Sequence, residues 1–180
     1  MKSIYIIRHC QAEGQAADAQ LTDLGVKQSN ELTAFLSDKN IDLIVSSPYE
    51  RAIQTIQPFA DKAGIEIKLD DRLVERVLSR ENLPNWKEML RETYDDLDLN
   101  FKGGESSNTA ISRAVTVVND ILNHTYENSV IVSHGNLISL LLKHFDNSIG
   151  FKEWEALSNP DMYHLSFEDN STNLRRVWND

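Results

Sequence analysis

The sequence predicts an α/β fold in three layers, a mainly parallel central sheet flanked by helices. Three observations predict it. Short apolar runs rich in β-branched residues alternate with stretches of helical period. The alternation repeats along most of the chain, which is the signature of strand–helix–strand units. Near the end the pattern changes to strict in–out alternation, which predicts antiparallel strands at one edge of the sheet. A chain of 180 residues with a 41% hydrophobic share fits one domain over residues 1–180.

The elements follow in order. Ile4, Tyr5, Ile6 and Ile7 form the first strand, and Thr22 is placed to cap a helix whose apolar face carries Leu32, Phe35 and Leu36. Leu43, Ile44 and Val45 form the second strand. Ala52, Ile56, Phe59, Ala60 and Ala63 mark the next helix, in which Pro58 is expected to introduce a kink or a break. The run 65–69 reads as a third buried strand. Residues 80–104 are polar, acidic and irregular, and read as a short cap-like excursion with a helix at 86–94 over one end of the sheet. Gly103 and Gly104 read as a turn before a helix that starts near Ser106 and buries Ile111, Ala114, Val118, Ile121 and Leu122. Val130, Ile131 and Val132 make another strand, and Leu137, Ile138, Leu141, Leu142 and Phe145 the helix after it. The alternating stretch 162–167 and the stretch 174–178 complete an edge hairpin.

Composition excludes several classes of function. A net charge of −10 opposes binding to nucleic acid, although a local Arg and His cluster can still hold a small phosphate. No apolar stretch reaches the length of a membrane span or of a signal peptide's apolar region, so no membrane partner is expected. One cysteine excludes an internal disulfide and fits a cytoplasmic location.

The chemistry lies where strands end, because open α/β sheets bind ligands beyond the carboxyl ends of their strands. Arg8 and His9 follow the first strand. Ser46, Ser47 and then Arg51 follow the second. Glu75 lies beyond the third, and Ser133, His134 and Gly135 follow the fourth. Each residue taken singly reads as an ordinary surface charge or loop histidine; their joint placement is the signal. Two Arg forks match the oxygens of a phosphate, an imidazole can attack phosphorus, and a carboxyl group can protonate the departing oxygen. That is a phosphoryl-transfer site that needs no metal or other cofactor.

At these residues the chain resembles the histidine phosphatase superfamily, the phosphoglycerate mutase-like proteins. The match runs through Ile6-Ile7-Arg8-His9, Leu21-Thr22-Asp23-Leu24-Gly25 with Gln28, and Ser46-Ser47-Pro48-Tyr49-Glu50-Arg51-Ala52-Ile53-Gln54-Thr55. It continues through Arg72-Leu73-Val74-Glu75, Gly103-Gly104-Glu105-Ser106 and Val132-Ser133-His134-Gly135. The resemblance implies that His9 is the phosphorylated histidine. It implies that Arg8, Arg51 and His134 hold the phosphoryl group and that Glu75 donates the proton. Gln15 falls where many members carry an Asn near the phosphate, and Asn159 is expected to approach from the last loop.

The implied activity is hydrolysis of a small phosphorylated metabolite through phosphohistidine. His9 then attacks as a neutral imidazole whose other nitrogen donates to a backbone carbonyl. His134 is expected to be protonated, and Glu75 to be protonated when substrate is bound. The chain departs from many members at Cys10 and at Gln11-Ala12. The short segment between Glu75 and Gly103 favours a phosphatase over a mutase. The alternatives are a phosphoglycerate-type mutase, a protein phosphohistidine phosphatase and a non-catalytic phospho-ligand binding module. Other chemistries lack their residues. Cys10 is followed six positions on by Ala16 rather than Arg, Ile131 stands where a serine hydrolase elbow needs Gly, and Gly-Lys-Ser/Thr, CxxC and HExxH are absent.

Overall fold

The structure is a computed structural model that describes residues 1–178; the last two positions of the expected domain lie outside the described residues. Strand β1 (Lys2–Arg8) runs through the middle of the sheet, and its alternation builds two cores. Ile4 and Ile6 point into one core with Val45, Val118, Ile131 and Leu141. Tyr5 and Ile7 point into the other with Leu32, Ile44, Ile56 and Val132. A strand that buries both faces must be apolar throughout, which is why β1 reads as a continuous run.

Helix α1 (Asp23–Leu36) begins at Thr22, whose hydroxyl accepts from the Gly25 N–H. Strand β2 (Leu43–Ser46) is wholly buried. Helix α2 (Glu50–Ala63) is continuous through Pro58, so the expected break does not occur. Ala52, Thr55, Ile56, Phe59 and Ala60 anchor the helix on both sides of the proline, and this burial outweighs the one hydrogen bond the ring removes. Strand β3 (Ile67–Leu69) is shorter than the expected 65–69 and is partly exposed. As the edge strand it pairs only with β2, so it lacks the cover that would bury it.

A 3₁₀ turn (Asp71–Leu73) leads to helix α3 (Trp86–Asp95), close to the expected 86–94. Helix α4 (Ser107–Leu122) starts near Ser106 as expected, and the Ser106 hydroxyl caps it by accepting from the Thr109 N–H. Strand β4 (Asn128–Ser133) and helix α5 (Gly135–Phe145) follow, then the short α6 (Phe151–Glu155), which no sequence pattern announced. Strands β5 (Asp161–Glu168) and β6 (Ser171–Arg176) form the edge hairpin.

The strand order is β3-β2-β4-β1-β5-β6. The first four strands are parallel, and β5 and β6 are antiparallel as expected. The register sets Arg8 beside Ser133, and the Ser47 N–H donates to the Val132 carbonyl. Three strands therefore deliver their carboxyl ends to one place. Among the described residues, no helix is long and apolar enough to cross a membrane.

Candidate active site

The loop after β1 carries His9, 6% exposed, and its ring is held at both nitrogens. Nδ1 lies 2.7 Å from the Cys10 backbone carbonyl. A carbonyl only accepts, so Nδ1 carries the proton and Nε2 keeps its lone pair. Cys10 is thus the source of the tautomer-fixing carbonyl that the sequence left unnamed. The Arg51 Nε–H donates to His9 Nε2 at 3.2 Å. Burial pushes His9 down from its ordinary 6.5 to about 4; the Cys10 bond opposes this, and Arg51 and Arg8 reinforce it. The imidazole is therefore neutral near pH 7.

Arg51 reaches the site from the first turn of α2 and is 1% exposed. Its Nη1 donates to the carbonyls of Gln15 at 3.2 Å and Ala16 at 2.8 Å. Arg8 is steered by the last loop, where its Nη1 donates to the Leu157 carbonyl at 3.0 Å and the Ser158 carbonyl at 3.4 Å. Asp161, paired with Arg8 across β1 and β5, holds that loop by accepting from the Ser158 N–H at 3.0 Å. Burial lowers the pKa of both arginines, and Glu75 opposes it in each case. Gly135 opens α5 against Arg8; a Cβ there would stand 2.9 Å from the Arg8 Cζ and Nε.

His134 lies edge-on to His9, ring centroids 5.2 Å apart, and its Nε2 is 2.8 Å from the Ser47 hydroxyl. The expectation of a protonated His134 is corrected here for the free site. Burial, then His9, Arg51 and Arg8, push it down to about 2, because a further buried cation beside two guanidiniums is strongly disfavoured.

Glu75 lies on the cleft beside Arg8 and Gln15. Its carboxylate accepts the N–H groups of Arg76 at 2.8 Å, Leu137 at 2.9 Å and Asn136 at 3.1 Å, which ties it to the first turn of α5. Glu105 is committed to Arg113 at 2.6 Å. Gln15 is exposed at the rim of the cleft, while Asn159 bonds backbone: its Nδ2 donates to the His9 carbonyl at 3.0 Å. Gly103, with φ of 71°, and Gly104 form a turn packed on Leu78 and Arg80, not on the site.

Sequence reasoning gave no role to Ser47, Thr55, Arg76 or Asn136. The hydroxyl of Thr55 accepts from the Cys10 N–H at 2.9 Å and donates to the Arg51 carbonyl at 2.7 Å, tying the loop after β1 to the first turns of α2. Ser47 and Thr55 stand inside the quoted motif, which is the signal that could have found them. Arg76 and Asn136 had none beyond adjacency to Glu75 and Gly135. Among the described residues, the buried side-chain atoms without a hydrogen-bond partner are Arg8 Nε, His134 Nδ1, Asn136 Oδ1 and Ser129 Oγ. Two of these four, Arg8 Nε and His134 Nδ1, are nitrogens of the site's own side chains that can donate to a bound anion.

Known proteins share this arrangement's fold. A mycobacterial glucosyl-3-phosphoglycerate phosphatase structure superposes with a TM-score of 0.78 at 25% identity, covering 99% of this chain and 98% of that one. Glucosyl-3-phosphoglycerate phosphatase of Mycolicibacterium vanbaalenii is 26% identical over 168 residues, 78% of this chain and 72% of its own length. Phosphoserine phosphatase 1 of Hydrogenobacter thermophilus is 26% identical over 150 residues, 74% of this chain and 71% of its own. The model of the histidine phosphatase superfamily (branch 1) matches residues 4–180, and the chain belongs to that superfamily.

Proposed function

We propose that this chain is a phosphomonoesterase that hydrolyses a small phosphorylated metabolite through a phosphohistidine on His9. The observation that carries the reading is the state of His9: neutral, its lone pair on Nε2, with Arg51 and His134 against the ring. In the first step Nε2 attacks phosphorus and the bond from phosphorus to the ester oxygen breaks. Glu75 gives that oxygen its proton, so the product leaves as an alcohol. In the second step water attacks phosphorus, the P–N bond breaks, and the Glu75 carboxylate takes the water's proton. Phosphate leaves and neutral His9 is regenerated.

Charge on the equatorial oxygens is met by Arg8, Arg51 and His134, whose cationic or N–H groups are fixed before the reaction. Arg51 hands its Nε–H from His9 to a phosphoryl oxygen as substrate enters. The anion offsets the repulsion that keeps His134 neutral, so His134 regains a proton only in the complex. Gln15 contacts the phosphoryl group from the rim, and Asn159 holds the His9 backbone. The relatives similar over about three quarters of this chain are named phosphatases, which supports hydrolysis, whereas those named for phosphoglycerate mutase match over 42% of it; the single cysteine supports a cytoplasmic location.

The test is to trap the intermediate. Quenching turnover of a ³²P-labelled ester without acid should yield a protein label that is acid-labile and base-stable, in excess chelator as well as without it. His9→Ala should lose the label and fall at least roughly a thousandfold in turnover, as expected when a nucleophile is removed. A His9→Ala variant with near-normal turnover ends the proposal.

A further inference from the structure

The cleft that holds Arg8 and Glu75 continues past them, with a volume of about 380 Å³. Its remaining wall comes from α3, α6 and the segment before them: Leu78, Trp86, Leu90 and Trp154. The two indoles meet edge to face, 6.5 Å between centroids at 89°. Trp86 is 49% exposed, although an indole of that size normally gains by burial. Leu90 beneath it is 3% exposed. The wall is thus an apolar surface with a firm floor and a half-open aromatic lip.

Charge on this wall points the same way. The only cations lining the cleft among the described residues are Arg8 and Arg76. Arg8 belongs to the phosphoryl group. Arg76 is turned into the protein: its Nε and Nη2 donate to the Glu105 carbonyl at 3.2 and 3.0 Å, and its Nη1 to the Thr93 hydroxyl at 3.3 Å. A carboxylate on the leaving group would find no uncommitted cation there, and the net charge of −10 would oppose its entry. The substrates named for the relatives, phosphoserine and glucosyl-3-phosphoglycerate, both carry a carboxylate.

Resting on the phosphomonoesterase reading, we infer that the substrate is the phosphate ester of an apolar alcohol, with a ring or alkyl chain that packs against the wall formed by Trp86 and Trp154. Selectivity comes from area removed from water on Trp86, Trp154, Leu78 and Leu90, rather than from ion pairing.

The test compares three esters with similar primary alkyl leaving oxygens: 3-phenylpropyl phosphate, propyl phosphate and O-phosphoserine. Burial of the added phenyl group should raise kcat/KM over propyl phosphate by roughly 10- to 100-fold. Phosphoserine should be hydrolysed less well than either. Trp86→Ala and Trp154→Ala should bring the phenylpropyl-to-propyl ratio toward one. Leu24→Ala, at a half-exposed position of α1, should leave the ratio in place. A preference for phosphoserine, or a ratio unmoved in both Trp variants, overturns the inference. Binding of 3-phenylpropylphosphonate and propylphosphonate, followed by tryptophan fluorescence, separates this failure from failure of the hydrolase reading. If no ester turns over, that reading falls; the aromatic subsite stands if the phenylpropyl compound binds tighter and falls if it does not.

Discussion

At the scale of single residues, the site depends on which atom carries a proton. The proposed attack by His9 needs a free lone pair, and Nε2 keeps one because Nδ1–H donates to the Cys10 carbonyl and burial keeps the ring neutral. The side chain of Cys10 has a different status: it is fully buried, and burial pushes the thiol up to about 12, so it packs and does not react. Glu75 accepts three backbone N–H groups and, in the proposed reaction, donates the proton, so its variant should show both effects. Glu75→Gln cannot supply a proton, and it turns an NH₂ group toward backbone N–H donors that now meet a carboxylate. Loss of general acid catalysis should slow hydrolysis of an alkyl phosphate by roughly 10²–10⁴-fold, while a nitrophenyl phosphate, whose leaving group is stable as an anion, slows far less. Loss of the acceptor should also cost roughly 1–2 kcal/mol of stability. Bursts of alcohol release measure the first effect free of phosphohistidine breakdown, and urea melts measure the second. Equal slowing of both bursts would remove Glu75 as the acid.

At the scale of elements, the motifs outside the site act as clamps on the loop after β1. The Thr22 N–H donates to the Gln11 carbonyl, Gln28 accepts from the Gln11 N–H, and a Cβ on Gly25 would lie 2.1 Å from the Gln11 oxygen. That close approach is why a glycine stands in the first turn of α1. Gly135 does the same for α5 and Arg8. Gly135→Ala adds a methyl that the helix itself tolerates well, but it displaces the guanidinium. Stability should change by less than roughly 1 kcal/mol while kcat/KM falls by roughly 100-fold, the size expected from a misplacement of about 1 Å. Matched melting curves and kinetics check this; a variant that is as active as wild type would show that Arg8 is free to move.

At the scale of the molecule, the sheet gathers His9 and His134 into a water-poor pocket, so stability must depend on pH. Both groups have folded values, about 4 and about 2, below their ordinary 6.5. The unfolded chain therefore binds protons that the folded chain refuses. The stabilisation is fully present above pH 6.5 and is lost as pH falls from there toward 4 and below. Melting temperature should drop between pH 7 and pH 5, before most carboxylates titrate, and the drop should be smaller in His134→Asn. An unchanged melting temperature across that window would show that the imidazoles are not buried as described.

The sequence by itself determined the α/β class, the edge hairpin, the helix at 86–94 and the gathering of Arg8, His9, Arg51, Glu75 and His134 at one end of the sheet. These were legible because strand and helix periods are local, and because a parallel sheet must bring strand ends together. Tertiary structure decided the rest. Pro58 lies in an unbroken helix because burial on both sides holds it. β3 is exposed because it is the edge. His134 is neutral because burial and the basic groups of His9, Arg51, Arg8 and Arg113 act on it together. The aromatic wall joins Trp86 to Trp154 across 68 positions of sequence. Protonation and cleft shape are properties of neighbours far apart in the chain, and no local pattern of residues encodes them.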